Sequence, residues 1–221
     1  MKLTVFAATG GIGRLIVEQA VAAGHSVTAV VRNPAKVTAD VTVVRADLSQ
    51  ADPEVIASAV TGADAVLSGL GAVGKADTGV ATRGTQAMVD AMEATGVRRL
   101  VVVSAAPIGT VASPGNPRPP RHDPGEGFVM RNVLTPMVKA VLRRHYADLA
   151  TMEDLIRASS LDWTIVRPPQ LTDKPLTGRY RTAYGQNLRG GSKISRADVA
   201  HLMLDVLDQP AAVRAVMGVA Y

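Results

Sequence analysis

The sequence of 221 residues contains no cysteine and no apolar run close to the length of a membrane-spanning helix. Without thiols, disulfide bonds, thiolate catalysis and cysteine metal sites are excluded, and we expect no metal centre. A spanning helix needs about 20 apolar residues, so we expect no membrane contact. The first residues carry one lysine and pass directly into a strand-like run, which is unlike a signal peptide. These features together favour a cytoplasmic protein.

Aromatic residues are also few, with one tryptophan, four tyrosines and two phenylalanines. The net charge is +5, and the arginines cluster at 118–121, 143–144 and 179–189. Binding of single-stranded nucleic acid usually needs aromatic side chains interleaved with a basic face. The aromatic residues here do not interleave with the arginines, so we expect no nucleic-acid partner. A modest positive charge also suits an anionic cofactor.

The first 35 residues have the pattern of a strand, a helix and a second strand. Apolar residues predict a strand over Leu3–Phe6, a helix over Ile12–Ala23 and a strand over Ser26–Val31. A unit of about 30 residues is the usual length of a parallel βαβ crossover. The pattern therefore predicts the dinucleotide-binding half of an α/β sheet.

A glycine-rich turn joins this first strand to its helix. Free backbone N–H groups and the helix dipole favour an anion at a helix start, and glycines let the backbone approach a pyrophosphate closely. Gly10 and Gly13 occupy the second and third glycine positions of the motif, and Ala7 replaces the first. Alanine can serve there if the turn keeps its φ angle negative, so this departure weakens the motif without removing it. The competing explanation is a tight strand-to-helix turn that binds nothing.

Arg32 follows the second strand, where NAD-binding proteins usually carry an acid for the ribose hydroxyls. No acid occurs after this strand until Asp40. A guanidinium can pair with a 2′-phosphate through two parallel hydrogen bonds. The sequence therefore predicts NADP(H) in preference to NAD(H), with a solvated charge at the strand end as the alternative.

The rest of the chain keeps alternating strands and helices, which predicts a parallel sheet with right-handed crossovers. Strands are predicted at Val41–Arg45, Ala63–Leu70, Arg99–Ser104 and Trp163–Val166, with a last edge strand at Ala215–Val219. Helices are predicted from Asp52-Pro53, over Thr78–Ala94 and Val138–Ser159, and from Ser195 to Leu207. The fold class is therefore α/β: a Rossmann-type doubly wound parallel sheet. Residues 1–221 form a single domain with a small C-terminal substrate-side portion.

One segment interrupts the alternation. Residues 107–127 hold six prolines and four glycines. A loop of this length in a compact domain is usually a lid or a disordered segment. It leaves the carboxyl edge of the sheet, where ligands bind in such folds, so we expect a lid or a flexible loop. His122 and Asp123 are expected to be solvated loop residues.

Several stretches together resemble the atypical short-chain dehydrogenase/reductase superfamily. Within it, the chain is similar to the NmrA-like NAD(P)H-binding proteins and to the biliverdin reductase B/flavin reductase branch. The resembling stretches are VFAATGGIG (5–13), GHSVTAVVRNP (24–34), ADL (46–48), DAVLSGLG (64–71), DWTIVRPP (162–169), LTGRY (176–180) and ISRADVA (194–200).

The resemblance implies a cofactor role for residues along one edge of the sheet. The implied contacts are Thr9, Gly10, Gly11, Ile12 and Gly13 for the pyrophosphate turn, Arg32 for the 2′-phosphate, Asp47 and Leu48 for the adenine, Leu70 and Gly71 for the middle of the cofactor, and Ser104, Pro168, Pro169 and Gln170 for the nicotinamide. The alternatives are ordinary turn chemistry at Asp47 and Gly71, and a simple strand end at Pro168-Pro169.

The Tyr-x-x-x-Lys pair of most short-chain dehydrogenases is missing. The matching positions are His145 and Leu149. A serine and a histidine expected in the flavin reductase branch are Ala105 and Gln170 here. These departures argue against alcohol–ketone chemistry and against biliverdin reduction. Flavin reduction is less affected, because hydride transfer to a flavin mainly needs stacking and proximity.

The remaining candidates for proton transfer are Ser104, Tyr146, His145 and Tyr180. We take Ser104 and Tyr146 as the candidate catalytic residues, although Tyr146 could equally be packing. His145 follows two arginines and is expected on a solvated helix face. Met130 and Met137 either pack in the core or line a pocket for a flat apolar substrate.

Three functions are compatible with these features. The first is an NADPH-dependent oxidoreductase that passes hydride to a flat conjugated acceptor, such as a flavin or a quinone. The second is a non-catalytic NADP(H)-binding redox sensor of the NmrA type. The third is a Rossmann-fold protein that catalyses a non-redox rearrangement. A monomer and a homodimer, paired through the last edge strand, both remain open.

Overall fold

The computed structural model describes residues 1–71, 79–125, 127, 137, 139 and 141–221. Its strands are β1 Lys2–Phe6, β2 Ser26–Val31, β3 Thr42–Arg45, β4 Ala65–Ser68, β5 Arg99–Val103, β6 Asp162–Arg167, β7 Gln170–Thr172, β8 Arg181–Tyr184, β9 Lys193–Ser195 and β10 Ala215–Ala220. Its α-helices are α1 Gly13–Ala22, α2 Pro53–Val60, α3 Val80–Thr95, α4 Arg143–Ala158 and α5 Arg196–Asp205.

Within the described residues, one large sheet has the strand order β3-β2-β1-β4-β5-β6-β10-β8. Every pairing in it is parallel except that of β10 with β8. The order runs outward in both directions from β1 and β4, which confirms the Rossmann-type, doubly wound α/β fold. In such a sheet the carboxyl ends of the strands meet at one edge, where the order reverses.

The core lies in two layers, one on each face of the sheet. Helices α2, α3 and α4 pack on one face with Leu100 and Val102, and α1 and α5 pack on the other with Val101 and Val103. Successive residues of a strand point to opposite faces, so an unbroken apolar run supplies both layers. This explains why β5 has a continuous apolar sequence.

Side-chain caps fix two of the helix starts. The carboxylate of Asp52 accepts a hydrogen bond from the Glu54 N–H, and Pro53 is the first residue of α2. The Ser195 side chain accepts from the Asp198 N–H at the start of α5. Both starts were predicted from these residues, because oxygen-bearing side chains satisfy free N–H groups at a helix start.

The strand predicted at residues 215–219 is present as β10, and of the two possibilities for its outer side, pairing with a second copy or capping within the chain, the structure has the second. Strand β10 lies between β6 and the antiparallel β8, which covers it from within the same chain. Strands β7, β8 and β9 were not predicted, and β7 pairs with β9 in a separate two-stranded sheet. These strands are only three or four residues long, too short for a clear alternation pattern. The predicted helix start at Val138 lies outside the described residues, and α4 is described from Arg143.

The proline-rich loop begins with a 3₁₀ helix over Ala106–Thr110. Its described part lines a cavity of about 430 Å³ together with α4 and the end of β6. Asp123 is buried, and its carboxylate accepts hydrogen bonds from the N–H groups of Gly125 and Asn187, each at 2.8 Å. The expectation of a solvated Asp123 is therefore wrong. That the loop acts as a lid stays a prediction.

Candidate functional site

The turn between β1 and α1 is tight, and Ala7 has an unusual backbone conformation. The φ angle of Ala7 is +54°, so the negative value that would suit alanine at this position is not met. The turn aims the Ala7 carbonyl beneath α1, where it accepts a hydrogen bond from the Gly10 N–H at 2.8 Å. A Cβ atom on Gly13 would lie 2.2 Å from that carbonyl oxygen. Glycine at 13 therefore allows the helix to sit directly on the turn.

The start of α1 is open to a ligand. No side chain caps this helix, and its first turn contains no acid. A helix start of this kind offers N–H groups and a positive dipole end to an anion. It faces a groove of about 550 Å³ that runs along the carboxyl ends of the strands.

Most of the residues predicted to hold a cofactor lie around this groove. Those that line it are Thr9, Gly10, Gly11, Ile12, Arg32, Asp47, Leu48, Leu70, Gly71 and Ser104. Gly13 lies at the helix start below the groove. Pro168, Pro169 and Gln170 are not among the lining residues, whereas the next residue, Leu171, is. Residues from five strand ends thus meet at one surface, although they are up to 95 positions apart in the sequence.

One end of the groove is rich in cationic side chains. Arg32 and Lys36 line it beyond β2, with Asp47 beyond β3. The backbone N–H and the hydroxyl of Ser49 donate to Asp47 at 2.9 and 2.7 Å. These bonds, together with the charge of Arg32, hold the pKa of the exposed Asp47 carboxyl below its usual value against a small desolvation cost. Asp47 is therefore a carboxylate beside Arg32 at neutral pH.

Arg196 is a lining residue that the sequence interpretation missed. A Cβ on Gly11 would lie 2.9 Å from both Cδ and Nε of Arg196, so the arginine crosses directly over the glycine turn. Its guanidinium also pairs with Asp173 at 2.6 Å. The stretch ISRADVA contained it, but the sequence interpretation used that stretch only as a helix start.

Ser104, at the carboxyl end of β5, is held by a buried ion pair. Its Oγ donates to Glu153 Oε1 at 2.7 Å. Arg167 Nε donates to the same oxygen at 2.9 Å, and Arg167 also donates to Oε2. The side chains of Glu153 and Arg167 are 3% and 8% exposed, so the charges are almost fully desolvated. The contact between Glu153 and Ser104 was not predicted from the sequence.

Helix α4 presents His145 and Leu149 to the groove, and Tyr146 to the core. Tyr146 is 7% exposed and belongs to the apolar cluster under α4, where burial raises its pKa. His145 lines the groove and is half-buried, so the expected solvated position is wrong. Burial lowers the pKa of His145, and the nearby charge of Asp148 opposes this only in part. Within the described residues, the buried Nδ1 of His145 has no hydrogen-bond partner.

The other candidates lie away from this part of the groove. The Tyr180 hydroxyl is 2.7 Å from His201 Nδ1, and burial raises its pKa, assisted by Asp205 and Asp198. Met137 is exposed, and Met130 lies outside the described residues. Among the described residues, no group of histidine, aspartate and glutamate has a metal-ligating arrangement. No helix in the described ranges is both long and apolar enough to cross a membrane.

Comparison with known families gives a match over residues 7–210 to a family described as NAD(P)H-binding. The chain belongs to this NAD(P)H-binding family. The match begins at Ala7, in the turn before α1, and includes every groove-lining residue named above. A UPF0659 protein of Schizosaccharomyces pombe is 31% identical over 216 residues, covering 91% of this chain and 83% of that protein. YhfK of Bacillus subtilis, named as an uncharacterised sugar epimerase, is 29% identical over 220 residues, which cover 95% of this chain and 89% of YhfK.

Solved structures of NAD(P)H-binding and related proteins share the fold along the whole chain. A protein from Streptococcus pneumoniae described as a proposed NADH-flavin reductase is 27% identical, with a TM-score of 0.74 and coverage of 100% of this chain and 99% of that chain. A short-chain dehydrogenase/reductase from Veillonella parvula, solved in complex with NADP, has a TM-score of 0.77 with 19% identity, covering 100% of this chain and 94% of that chain. Because only 19% of residues are identical, the similarity to the Veillonella parvula protein shows a shared fold and nothing more.

Proposed function

We propose that this protein is an NADPH-dependent reductase that passes hydride to a flat conjugated acceptor of the flavin or quinone class. The observation that carries the proposal is one continuous groove. It begins at the uncapped start of α1 and the cationic pair Arg32 and Lys36, and it continues to Ser104 and His145. The likeness to the proposed flavin reductase of S. pneumoniae over the full length supports this acceptor class.

The residues present fit a phosphorylated dinucleotide. The N–H groups of residues 11–13 and the guanidinium of Arg196 would hold the pyrophosphate, because the Gly10 N–H is already bonded to the Ala7 carbonyl. Arg32, with Lys36 beside it, would pair with the 2′-phosphate, because a planar guanidinium matches phosphate oxygens. An acid that only accepts hydrogen bonds suits ribose hydroxyls, and here the residue directly after β2 is Arg32 instead. The donor set therefore favours NADP(H) over NAD(H).

When bound, NADPH supplies a hydride from its reduced nicotinamide ring. The chain's own contribution is to orient the reactants and to handle the accompanying proton. Leu149 and Leu171 give that part of the groove apolar walls against which a flat ring can stack. His145 is the groove-lining imidazole on the same face of α4 as Leu149, so it can pass a proton to the reduced acceptor. This assigns to His145 the role that the sequence interpretation gave to Tyr146.

Steady-state turnover tests the proposal. Purified protein is mixed with NADPH or NADH, and the loss of absorbance by the reduced nicotinamide is followed with FMN, riboflavin and a set of small quinones. NADPH-selective oxidation that depends on the acceptor is the expected result. Tight NADP(H) binding without turnover would overturn the reductase proposal in favour of a redox sensor.

The rearrangement alternative has its own test, which the name of the B. subtilis relative suggests. Nucleotide sugars are incubated with the protein and NADP⁺, and the products are resolved by chromatography. Epimerised product without net cofactor oxidation or reduction would replace the reductase proposal.

A further inference from the structure

The contact between Ser104 and Glu153 fixes the direction in which the serine hydroxyl points. A hydroxyl has one proton and two acceptor lone pairs. The Glu153 side chain is paired with Arg167 and Arg157, whose Nη2 donates to Oε2 at 2.8 Å. Because both oxygens of Glu153 accept hydrogen bonds from guanidinium groups, the side chain acts as an acceptor toward Ser104 as well. The single proton of Ser104 is therefore directed to Glu153, 2.7 Å away.

The side of Ser104 that faces the groove consequently offers lone pairs and no proton. Ser104 is 8% exposed and lines the groove, so the little surface it shows belongs to the ligand site. A ligand carbonyl placed there would face another acceptor in a poorly solvated position, which costs free energy. A ligand N–H group placed there would complete the hydrogen bonding of the serine.

We infer that Ser104 is a hydrogen-bond acceptor that selects ligands with an N–H donor at this point of the groove, and that Glu153 and Arg167 are the positioning residues that set this direction. The inference rests on the proposed function, which puts a nicotinamide and a conjugated acceptor at this end. It replaces the earlier interpretation of Ser104 as a proton donor. Planar N–H donors occur in two sources here: the carboxamide of the cofactor and the ring imide of a flavin.

Ligand pairs that differ only at the N–H group separate these sources. The first pair is NADPH and its reduced 3-acetylpyridine analogue, which has a methyl ketone in place of the carboxamide. The second is FMN and N3-methyl-FMN. Dissociation constants are measured by calorimetry for wild type and Ser104→Ala, with the flavins measured in the presence of NADP⁺. These four dissociation constants form a double-mutant cycle. The part of the free-energy change that appears only when the ligand and Ser104 are changed together reports the contact between them.

We expect wild type to bind the N–H member of one pair more tightly than its partner. In Ser104→Ala, the ratio of the two dissociation constants should shrink by about fivefold, because one neutral hydrogen bond contributes about that much to affinity. A change in the first pair identifies the cofactor carboxamide as the partner, and a change in the second identifies the flavin imide. Unchanged ratios in both pairs would overturn the inference. Thr164→Val removes a buried hydroxyl that donates to Ala212 O at 2.6 Å, away from the groove, and serves as the matched control.

Glu153→Gln tests the positioning role separately from folding. The amide of glutamine can donate to Ser104, which frees the serine proton to point into the groove. The preference for N–H ligands should then fall at least as far as in Ser104→Ala. The affinity of the ketone analogue relative to NADPH should rise, because the freed serine proton can donate to its carbonyl. Because the amide oxygen of glutamine can also accept the serine proton, Glu153→Leu, which offers no acceptor, is measured beside Glu153→Gln. A wild-type preference in both variants would show that Glu153 does not set the direction of the hydroxyl. If Glu153→Gln fails to fold, the Ser104→Ala ratios still decide the inference, and absence of any NADP(H) binding by wild type would instead refute the proposed function.

Discussion

At the scale of single residues, charge decides how the two ends of the groove differ. Arg32, Lys36 and Asp47 lie at the end beyond β2 and β3, and the carboxylate of Asp47 is held ionised by Ser49 and Arg32. The other end has Ser104, whose charged neighbours Glu153 and Arg167 neutralise each other below the surface. The proposed ligand would therefore place its phosphorylated portion at the first end and its neutral planar portion at the second.

Replacing Arg32 with alanine tests the assignment of the 2′-phosphate. Charge-assisted hydrogen bonds contribute about 1.5–3 kcal/mol, so NADPH affinity should fall roughly 10- to 100-fold while NADH affinity changes little. Calorimetric titration of both cofactors measures this. Arg45→Ala, at the exposed end of β3, is the matched control for loss of a positive charge. Equal losses for NADPH and NADH would contradict the assignment.

His145→Gln tests the proposed proton transfer and removes the imidazole while keeping an amide of similar size. Positioned acid–base groups contribute about 100-fold or more to rates, so kcat with the best acceptor should fall by at least about tenfold with little change in the KM for NADPH. Donation requires the imidazolium form. Because burial lowers the pKa of His145, wild-type kcat should rise as the pH falls below 6.5, and the variant should lose this rise.

Tyr146→Phe distinguishes the two neighbouring candidates. This change removes a hydroxyl from a core residue and keeps its ring packing. We expect kcat within about twofold of wild type, given the ordinary effect of a conservative substitution away from the reacting atoms. A large loss in Tyr146→Phe with normal kcat in His145→Gln would return the role to the tyrosine.

At the scale of elements, the site depends on how closely α1 packs on the end of β1. The glycine at 13 leaves no Cβ against the Ala7 carbonyl, and a Cβ on Gly69, after β4, would lie 2.9 Å from Gly13 N. The end of β1, the start of α1 and the end of β4 therefore meet at backbone distance. The same close approach brings the free N–H groups of α1 to the floor of the groove.

Opposite substitutions in this turn should have opposite effects. The positive φ of Ala7 costs an L-residue about 1–2 kcal/mol, so Ala7→Gly should raise the free energy of unfolding by about 0.5 kcal/mol after the entropy of glycine is deducted. Gly13→Ala should lower it by roughly 2 kcal/mol through overpacking and weaken NADPH binding. Urea denaturation measures both. Ala8→Gly, one residue further along, should be destabilising by about 1 kcal/mol, and stabilisation there would contradict the argument from φ.

At the scale of the whole molecule, the buried carboxylate of Asp198 accepts hydrogen bonds from several separate segments of the C-terminal third of the chain. Asp198 is fully buried at the start of α5. It accepts hydrogen bonds from the N–H groups of Thr177 and Gly178, from Ser195 Oγ, and from the Tyr221 hydroxyl at 2.6 Å. Burial raises its pKa, but these donors outweigh burial and hold the pKa below 3.8. The loop before β8, helix α5 and the residue after β10 are therefore connected through one charge.

This network predicts how stability depends on pH. A depressed carboxyl pKa stabilises the fold above the unfolded-state value, and that contribution is lost as the pH falls from about 3.8 through the folded-state value. Asp198→Asn should therefore be clearly less stable than wild type at pH 7, with the difference narrowing below about pH 4. Urea unfolding at several pH values measures the difference. Asp208→Asn, at an exposed position, is the control. A difference in the free energy of unfolding between wild type and Asp198→Asn that does not change with pH would contradict this prediction.

Much of the fold was predictable from the sequence because it depends on local patterns. Alternating apolar segments, the capping residues Asp52 and Ser195, and the glycines after β1 specify elements within a few residues of themselves. The groove residues at the ends of β1 to β5 were named from the resemblance to a known superfamily, and their common position agrees with the rule that the carboxyl ends of parallel strands meet at one edge.

Other features needed the tertiary structure because they depend on packing between distant segments. The helical pattern placed His145 and Tyr146 together, but only the packing of α4 on the sheet decided that His145 faces the groove. Strand β10 is not at the edge of the sheet because β8, some 30 residues earlier in the chain, pairs with its outer side. Glu153, the side-chain partner of Ser104, is 49 positions away, and Arg167, which holds Glu153, is 63 positions from Ser104. Hydrogen bonds at such separations leave no periodic trace in the sequence. The sequence thus determined the elements and their order, whereas tertiary packing determined which side chains meet, because contact depends on orientation in space as well as on position along the chain.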